Sequence, residues 1–277
     1  MILNLNKEFK PIPGKEIIFE SFTFNGGEPH IRIEVFDTKQ KVHLTHRINS
    51  FNDLGLLCIA TDALKRMGVK EIDIFIPYFP AARQDRVMQS GESLSVKVVA
   101  DIINNLQVSS LTILDPHSDV TPALLNDCTV ISNHAFIAKV LEKLPKDVML
   151  ISPDAGASKK IFKLASALNI PTVIECGKKR DVITGQLSGF HVPLDNLENK
   201  PCLIVDDICD GGGTFIGLGK ELKKKNAGAL YLAISHGIFS KGFDDLSSIY
   251  EYVFTTDSFR TIRNPNIQQI QLQDILN

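Results

Sequence analysis

"LIVDDICDGGGTF" occupies residues 203–215. Four apolar residues, Cys202 to Val205, run into Asp206 and Asp207; Asp210 follows, then Gly211, Gly212, Gly213 and Thr214. The apolar run predicts a buried strand, and the periodic residues from Thr214 onward predict a helix. Three successive glycines leave no Cβ to obstruct close approach, and the backbone N–H groups of such a turn, backed by a helix N-terminus, form an anion cradle. The carboxylates upstream need not touch that anion. Adjacent strand residues point to opposite faces, so one aspartate is able to accept from sugar hydroxyls, or to hold a hydrated Mg²⁺, while the amides take a phosphate. A ribose 5-phosphate carries both features, vicinal hydroxyls at one end and a phosphate at the other. The plainer reading, an Asx turn leading into a helix cap, suits a lone aspartate pair. The complete spacing is more restrictive and points to a ligand.

Outward from this stretch, the chain alternates. Helical periodicity over residues 53–67 stops before Gly68, and "IDIFIPYF" (72–79) then reads as a buried strand. A helix is expected over 94–106, a strand over 111–117, a helix near 134–143 and a strand over 148–154. A helix over 158–168 and strands over 171–176, 230–235 and 250–254 complete the series. Short strands separated by helices imply βαβ units and parallel sheets, whose ligands bind at the carboxyl ends of the strands. Those ends read "PYFPAARQDR", "DPHSD", "SPDAG", "ECGKKR" and "VDDICDGGGT". Residues 28–36 and 40–48 alternate like a pair of antiparallel strands. Turn residues at 126–134 predict a domain break, giving domains over 1–131 and 132–261. The tail 262–277 is expected to return to the first of them as a strand and a helical turn.

Composition narrows the classes. With 277 residues, 44% hydrophobic and 22% charged, the chain has the make-up of a soluble two-domain globular protein. Thirty basic against thirty-two acidic residues give a net charge of −2, which favours neither nucleic acid nor an anionic membrane as partner. The cysteines, Cys58, Cys128, Cys176, Cys202 and Cys209, form no C-x-x-C pair, against zinc or thioredoxin-like chemistry and for a reduced, cytoplasmic setting. Neither a cleavable leader nor a membrane-length apolar run is apparent. No P-loop, no G-x-G-x-x-G after a strand and no H-E-x-x-H occurs.

The combination of "ARQDR", "LDPHS", "SPDAG", "SHGIFS" and the aspartate–glycine stretch resembles the ribose-phosphate pyrophosphokinase (PRPP synthetase) family, from about Asn52 to Phe254. The resemblance implies two tandem type I phosphoribosyltransferase-like α/β domains, each a largely parallel sheet flanked by helices. It implies Mg²⁺-dependent transfer of pyrophosphate from ATP to the anomeric hydroxyl of ribose 5-phosphate, giving PRPP and AMP, in a homo-oligomer that is at least a dimer and in the family often a hexamer. By the same resemblance Lys178 and Arg180 of "CGKKR" are catalytic, Lys179 being a rival for the lysine role, and Arg180 also grips the sugar phosphate. ATP falls to Phe24, Gly26, Gly27, Glu28, Arg83 and Gln84, and magnesium to His117 and Asp154. Ribose 5-phosphate falls to Asp206, Asp207, Asp210, Gly211, Gly212, Gly213 and Thr214. A solvated basic loop for the lysine–arginine stretch and a helix cap for Asp154 are the plainer alternatives.

Three departures mark the chain. Ahead of "FTFNGGEPHIRIE" it is short by a strand–helix unit, and Gly26 stands where an acidic or amide residue is expected, which touches adenine selectivity. Gly211 replaces a common threonine. "RVMQSGESLS" lacks basic residues that many members place near an allosteric phosphate site, implying altered control by phosphate and ADP. Two rivals remain: a PRPP-using phosphoribosyltransferase, which needs neither "ARQDR" nor a lysine–arginine pair, and a non-catalytic regulatory subunit, which would lose the reactive side chains.

Overall fold

The structure is a computed structural model and describes residues 1–180 and 187–276, without the side chains of residues 178–180 and 187–188. Two compact units emerge: Met1–Ser132 with Ser258–Thr261 and Leu272–Asn277, and Asn133–Asp257 with Ile262–Gln271.

The first unit contains strands β1 (Ile2–Asn4), β2 (Phe19–Thr23), β3 (Pro29–Ile33) and β4 (Val42–Thr45), helix α1 (Phe51–Arg66) and strand β5 (Ile72–Ile76). Helix α2 (Ser95–Asn104), strand β6 (Ser110–Leu114), helix α3 (Val120–Leu124) and strand β7 (Cys128–Ile131) follow. The parallel sheet has the order β1-β4-β5-β6-β7, and β2 and β3 form a separate antiparallel hairpin. Helix α1 is capped reciprocally: the Asp53 amide donates to Ser50 Oγ, while Ser50 Oγ–H donates to Asp53 Oδ2 at 2.8 Å. It buries Leu54, Leu57, Ala60 and Leu64 against the sheet, and Gly55 leaves room for Pro29 of the hairpin, whose Cγ lies 3.3 Å from where a Cβ would stand.

Here the sequence reading needs correcting. The segment read as an antiparallel partner of "EPHIRIEVF" is β4, a parallel strand between β1 and β5. Val42 and Leu44 face the helix-covered core while Thr45 is buried on the other side, and a strand covered on both faces belongs inside a parallel sheet. The first strand of the family pattern is also present, as β1. Only a helix is missing among the described residues between β1 and β2.

The second unit runs through helix α4 (His134–Leu141), strand β8 (Met149–Ser152), helix α5 (Ala155–Ala167) and strands β9 (Val173–Glu175), β10 (Gly177–Arg180), β11 (Leu187–His191) and β12 (Cys202–Cys209). Helix α6 (Gly213–Lys224), strand β13 (Leu230–Gly237), helix α7 (Asp244–Ser247) and strands β14 (Tyr252–Thr256) and β15 (Ile267–Ile270) complete it. Its parallel sheet has the order β15-β14-β13-β12-β8-β9. From β8 the chain winds outward to β9, and from β12 in the opposite sense through β13 and β14 to β15. The reversal lies between β8 and β12, and a crevice opens outside the carboxyl ends of strands at such a point. β12, flanked on both sides, is apolar through Val205 because neither face meets water.

The tail divides rather than returning whole to the first unit. β15 pairs with β14 of the second unit, whereas Leu272 is fully buried with Phe9, Phe75 and Leu114 of the first. Ser258–Thr261, placed by sequence in the second domain, belongs to the first unit, where Arg47 Nη1 donates to Thr261 Oγ1 at 3.1 Å and Asn49 Nδ2 to the Phe259 carbonyl at 3.2 Å. Replacing Leu272 by Ala should cost about 2–5 kcal/mol, seen as an earlier urea midpoint, whereas Leu272→Met should cost under about 1.5 kcal/mol.

Candidate active site

The switch point of the second sheet brings Asp154, after β8, near the aspartates of β12. β8 ends at Ser152, and Asp154 caps α5, its Oδ1 accepting from the Ala157 amide at 3.1 Å. β12 does not stop at the aspartates. It continues to Cys209 beside β13, so Asp206 and Asp207 lie within the strand. Simple alternation places their carboxyls on opposite faces; instead the two share a side-chain hydrogen bond, and the Asp207 amide donates to Asp206 Oδ1 at 2.9 Å. Burial, then the charge of Asp207, with Asp154 adding less, raises the Asp206 carboxyl well above the ordinary carboxylate range. Three acids therefore converge on the crevice and repel one another.

Beyond Cys209 the glycine turn closes over the start of α6. Gly212 is the N-cap with φ 75°, a left-handed conformation that a side chain would strain. Segment 238–241 braces the turn. Ile238 N and Phe239 N donate to the Cys209 carbonyl at 2.9 and 3.0 Å, and Ser240 Oγ donates to Asp210 Oδ1 at 2.6 Å. Phe239, at φ 48°, Ala81 (φ 58°), in the loop after β5, and Asp115 (φ 36°), directly after β6, are non-glycine residues with positive φ. Strain of this kind persists where the surroundings over-determine it, commonly at functional sites.

Hairpin β10–β11 carries Lys178 and Arg180, whose side chains, like that of Lys179, lie outside the described residues. The backbone pairs Lys178 with Phe190. Phe190 rests on Gly217 of α6, where a Cβ would come within 2.7 Å of its Cζ. Thus the strand opposite the lysine is seated on the helix that forms the glycine turn.

In the first unit, Arg83 and Gln84 are exposed in the loop after β5, and Arg86 Nε pairs with Asp85 Oδ1 at 3.4 Å. His117 follows β6 and Pro116. Glu92 accepts from the Met88 and Gln89 amides at 2.8 and 3.1 Å, so a carboxylate of the chain itself occupies the amides of this loop. At the tip of the β2–β3 hairpin, Phe24 N donates to the Glu28 carbonyl and Gly27 N to the Phe24 carbonyl, at 2.9 and 2.8 Å. Gly26 leaves space that Glu28 uses, the carboxylate Oε1 lying 3.1 Å from where a Cβ would stand. Phe22 and Phe24 are half exposed and form an aromatic cluster with His30, with ring centroids 4.8–5.5 Å apart. The sequence reading missed His30, although its alternation with Phe22 across the hairpin is a legible signal.

No group of three His, Cys, Asp or Glu side chains among the described residues forms a ready-made metal cage. Magnesium does not need one, because it keeps several waters and is bound through one or two carboxylates together with substrate phosphates. Asp154, close enough for its charge to bear on Asp206, fits such an ion.

Fold and crevice define a tandem phosphoribosyltransferase-type protein. A phosphoribosylpyrophosphate synthetase from Mycobacterium smegmatis shares this fold at a TM-score of 0.83 over 100% of the chain and 95% of its own, with 22% identity. Residues 19–106 match the N-terminal domain of ribose phosphate pyrophosphokinase, and residues 129–263 match the phosphoribosyl transferase domain. Ribose-phosphate pyrophosphokinase from Mycoplasma pneumoniae is 33% identical over 91% of the chain and 79% of its own length, and that from Mycoplasma genitalium 30% identical over 99% and 84%. The chain belongs to the ribose-phosphate pyrophosphokinase family.

The raised Asp206 has a consequence for stability. Its folded form holds a proton more tightly than the unfolded chain, so this group favours folding at low pH and loses that contribution as pH rises through its folded value. Asp206→Asn should therefore raise the Tm of the ligand-free protein at pH 7.5. The gain should shrink as pH falls toward the ordinary carboxylate range, followed by calorimetry across pH.

Proposed function

We propose that the chain makes PRPP, transferring the β,γ-diphosphate of ATP to the anomeric hydroxyl of ribose 5-phosphate and releasing AMP. The observation that carries this reading is the juxtaposition at the switch point: acids on the sugar side of a turn whose amides, at the N-terminus of α6, receive an anion. Asp206 and Asp207 accept from the ribose hydroxyls, and the amides of Gly211, Gly212, Gly213 and Thr214 hold the 5-phosphate. Hydrogen bonds from the sugar hydroxyls would stabilise the charged form of Asp206, which burial and the charge of Asp207 disfavour.

The anomeric oxygen attacks the β-phosphorus, the bond to the α-phosphate oxygen breaks, and the hydroxyl proton is lost. Negative charge spreads over the transferring group and the departing AMP, so positioning and electrostatics carry the reaction. Lys178 meets the transferring group and Arg180 grips phosphate oxygens in a fork. Asp154 would hold magnesium, a role that the family resemblance also gives to His117 of the first unit. When bound, the ion supplies positive charge to the polyphosphate oxygens. The aromatic cluster of the β2–β3 hairpin offers the nucleoside base a stacking surface, with Arg83 and Gln84 supplying hydrogen bonds to ATP. Oligomerisation to at least a dimer and a cytoplasmic setting belong to the same reading; no helix among the described residues is long and apolar enough to cross a membrane.

A regulatory subunit without activity is disfavoured because His117, Asp154, Lys178, Arg180 and Asp206 are all retained. Incubating the protein with Mg²⁺, ATP and ribose 5-phosphate should yield AMP and PRPP by ³¹P NMR; an unreacted mixture would refute the reading. Because Gly26 brings no side chain to the base, GTP in place of ATP should retain measurable turnover. Lys178→Ala should slow turnover by about 10²–10³-fold with ribose 5-phosphate affinity little changed, and an unaffected rate would transfer the role to Lys179.

A further inference from the structure

The acidic crowding around the glycine turn poses an electrostatic problem for a phosphate dianion, and a lysine far off in sequence lies where it offsets it. A Cβ at Gly211 would stand 3.4 Å from both Cδ and Cε of Lys241 and 3.7 Å from its Cγ. The Lys241 stem therefore lies across the bare backbone of Gly211, and its ammonium is one bond beyond Cε, at the edge of the cradle. Its backbone is held there. Ser240 N donates to the Asp210 carbonyl at 3.0 Å, Ser240 Oγ donates to the Asp210 carboxylate, and Gly242 N returns to the Phe239 carbonyl at 3.1 Å. Lys241 is exposed, and among the described residues its ammonium has no ion-pair partner. On the other side of the turn, the Leu246 methyls lie 3.5 and 3.6 Å from where a Cβ at Gly212 would stand, an apolar wall that offers no charge.

We propose that Lys241 is a substrate-binding residue, its ammonium closing the cradle around the phosphate monoester of the sugar. The assignment rests on the ribose 5-phosphate reading above and adds to it a ligand from the loop after β13. Backbone amides supply direction but no net charge, whereas a lysine is a compact charge with three donors on a flexible stem. Gly211 leaves its bare backbone open to the lysine stem, which an added Cβ would meet at van der Waals distance. Packing the methylenes on backbone while the head stays in water is an arrangement long basic side chains adopt readily.

The test is direct binding, read by calorimetry with ribose 5-phosphate and, separately, inorganic phosphate. Lys241→Ala should weaken ribose 5-phosphate by roughly tenfold, the range for a charge-assisted hydrogen bond. Phosphate should weaken in parallel, and the affinity should depend less steeply on salt than in the parent. Lys241→Arg should recover most of the loss, which a merely structural role for the stem would not predict. In steady state, KM for ribose 5-phosphate should rise while that for ATP moves less than about twofold. Unchanged binding of both ligands by Lys241→Ala overturns the proposal. A parent chain that binds ribose 5-phosphate but makes no PRPP sinks the diphosphate-transfer reading instead, and the calorimetric comparison still decides Lys241.

Discussion

Strand β12 is surrounded: β8 on one edge, β13 on the other, helices or core on both faces. Such a strand has one outlet for polar side chains, its carboxyl end, and the reversal of winding between β8 and β12 makes that end a crevice. Everything chemical in the second unit follows from this burial. Asp206 and Asp207 lie where the sheet gives way to the crevice, Asp154 arrives from the adjacent strand, and the chain turns through three glycines so that α6 presents its N-terminus to the same space.

The first unit is arranged differently. Its sheet runs in sequential order with no reversal, and the segments that carry its candidate site residues stand off the sheet: the aromatic hairpin, the loop after β5 and the loop after β6. Positive φ at Ala81 and Asp115 indicates that these loops are held in place by their surroundings rather than by local preference. In the loop after β5, Glu92 engages the Met88 and Gln89 amides, so the chain's own carboxylate fixes the turn.

Glycines mediate much of the packing near the catalytic elements. Gly217 seats Phe190 and with it the hairpin that carries Lys178. Gly219 has Ile249 and Tyr250 against it, Tyr250 donating to the Phe215 carbonyl at 2.6 Å. A helix with three glycines forgoes intrinsic stability, and in return two other segments approach its backbone closely. The helix at the phosphate turn is thus tied to the lysine-bearing strands on one side and to the α7–β14 connection on the other.

Local pattern was enough to reveal the alternation of strands and helices, the acid–glycine turn and the residues that follow each strand, because period, capping and turn chemistry act over a few residues. It misjudged β4, missed β7 and assigned the tail to one unit. Strand direction, edge position and the partner of an amphipathic segment depend on what packs against them, and that is set by chain segments remote in sequence. The effect of Asp154 on Asp206 and the track of Lys241 over Gly211 are of the same kind. Sequence by itself determined which chemistry the chain carries; only the tertiary structure decided which of those groups meet, because proximity across thirty residues or more is a property of the packed sheet and not of the chain.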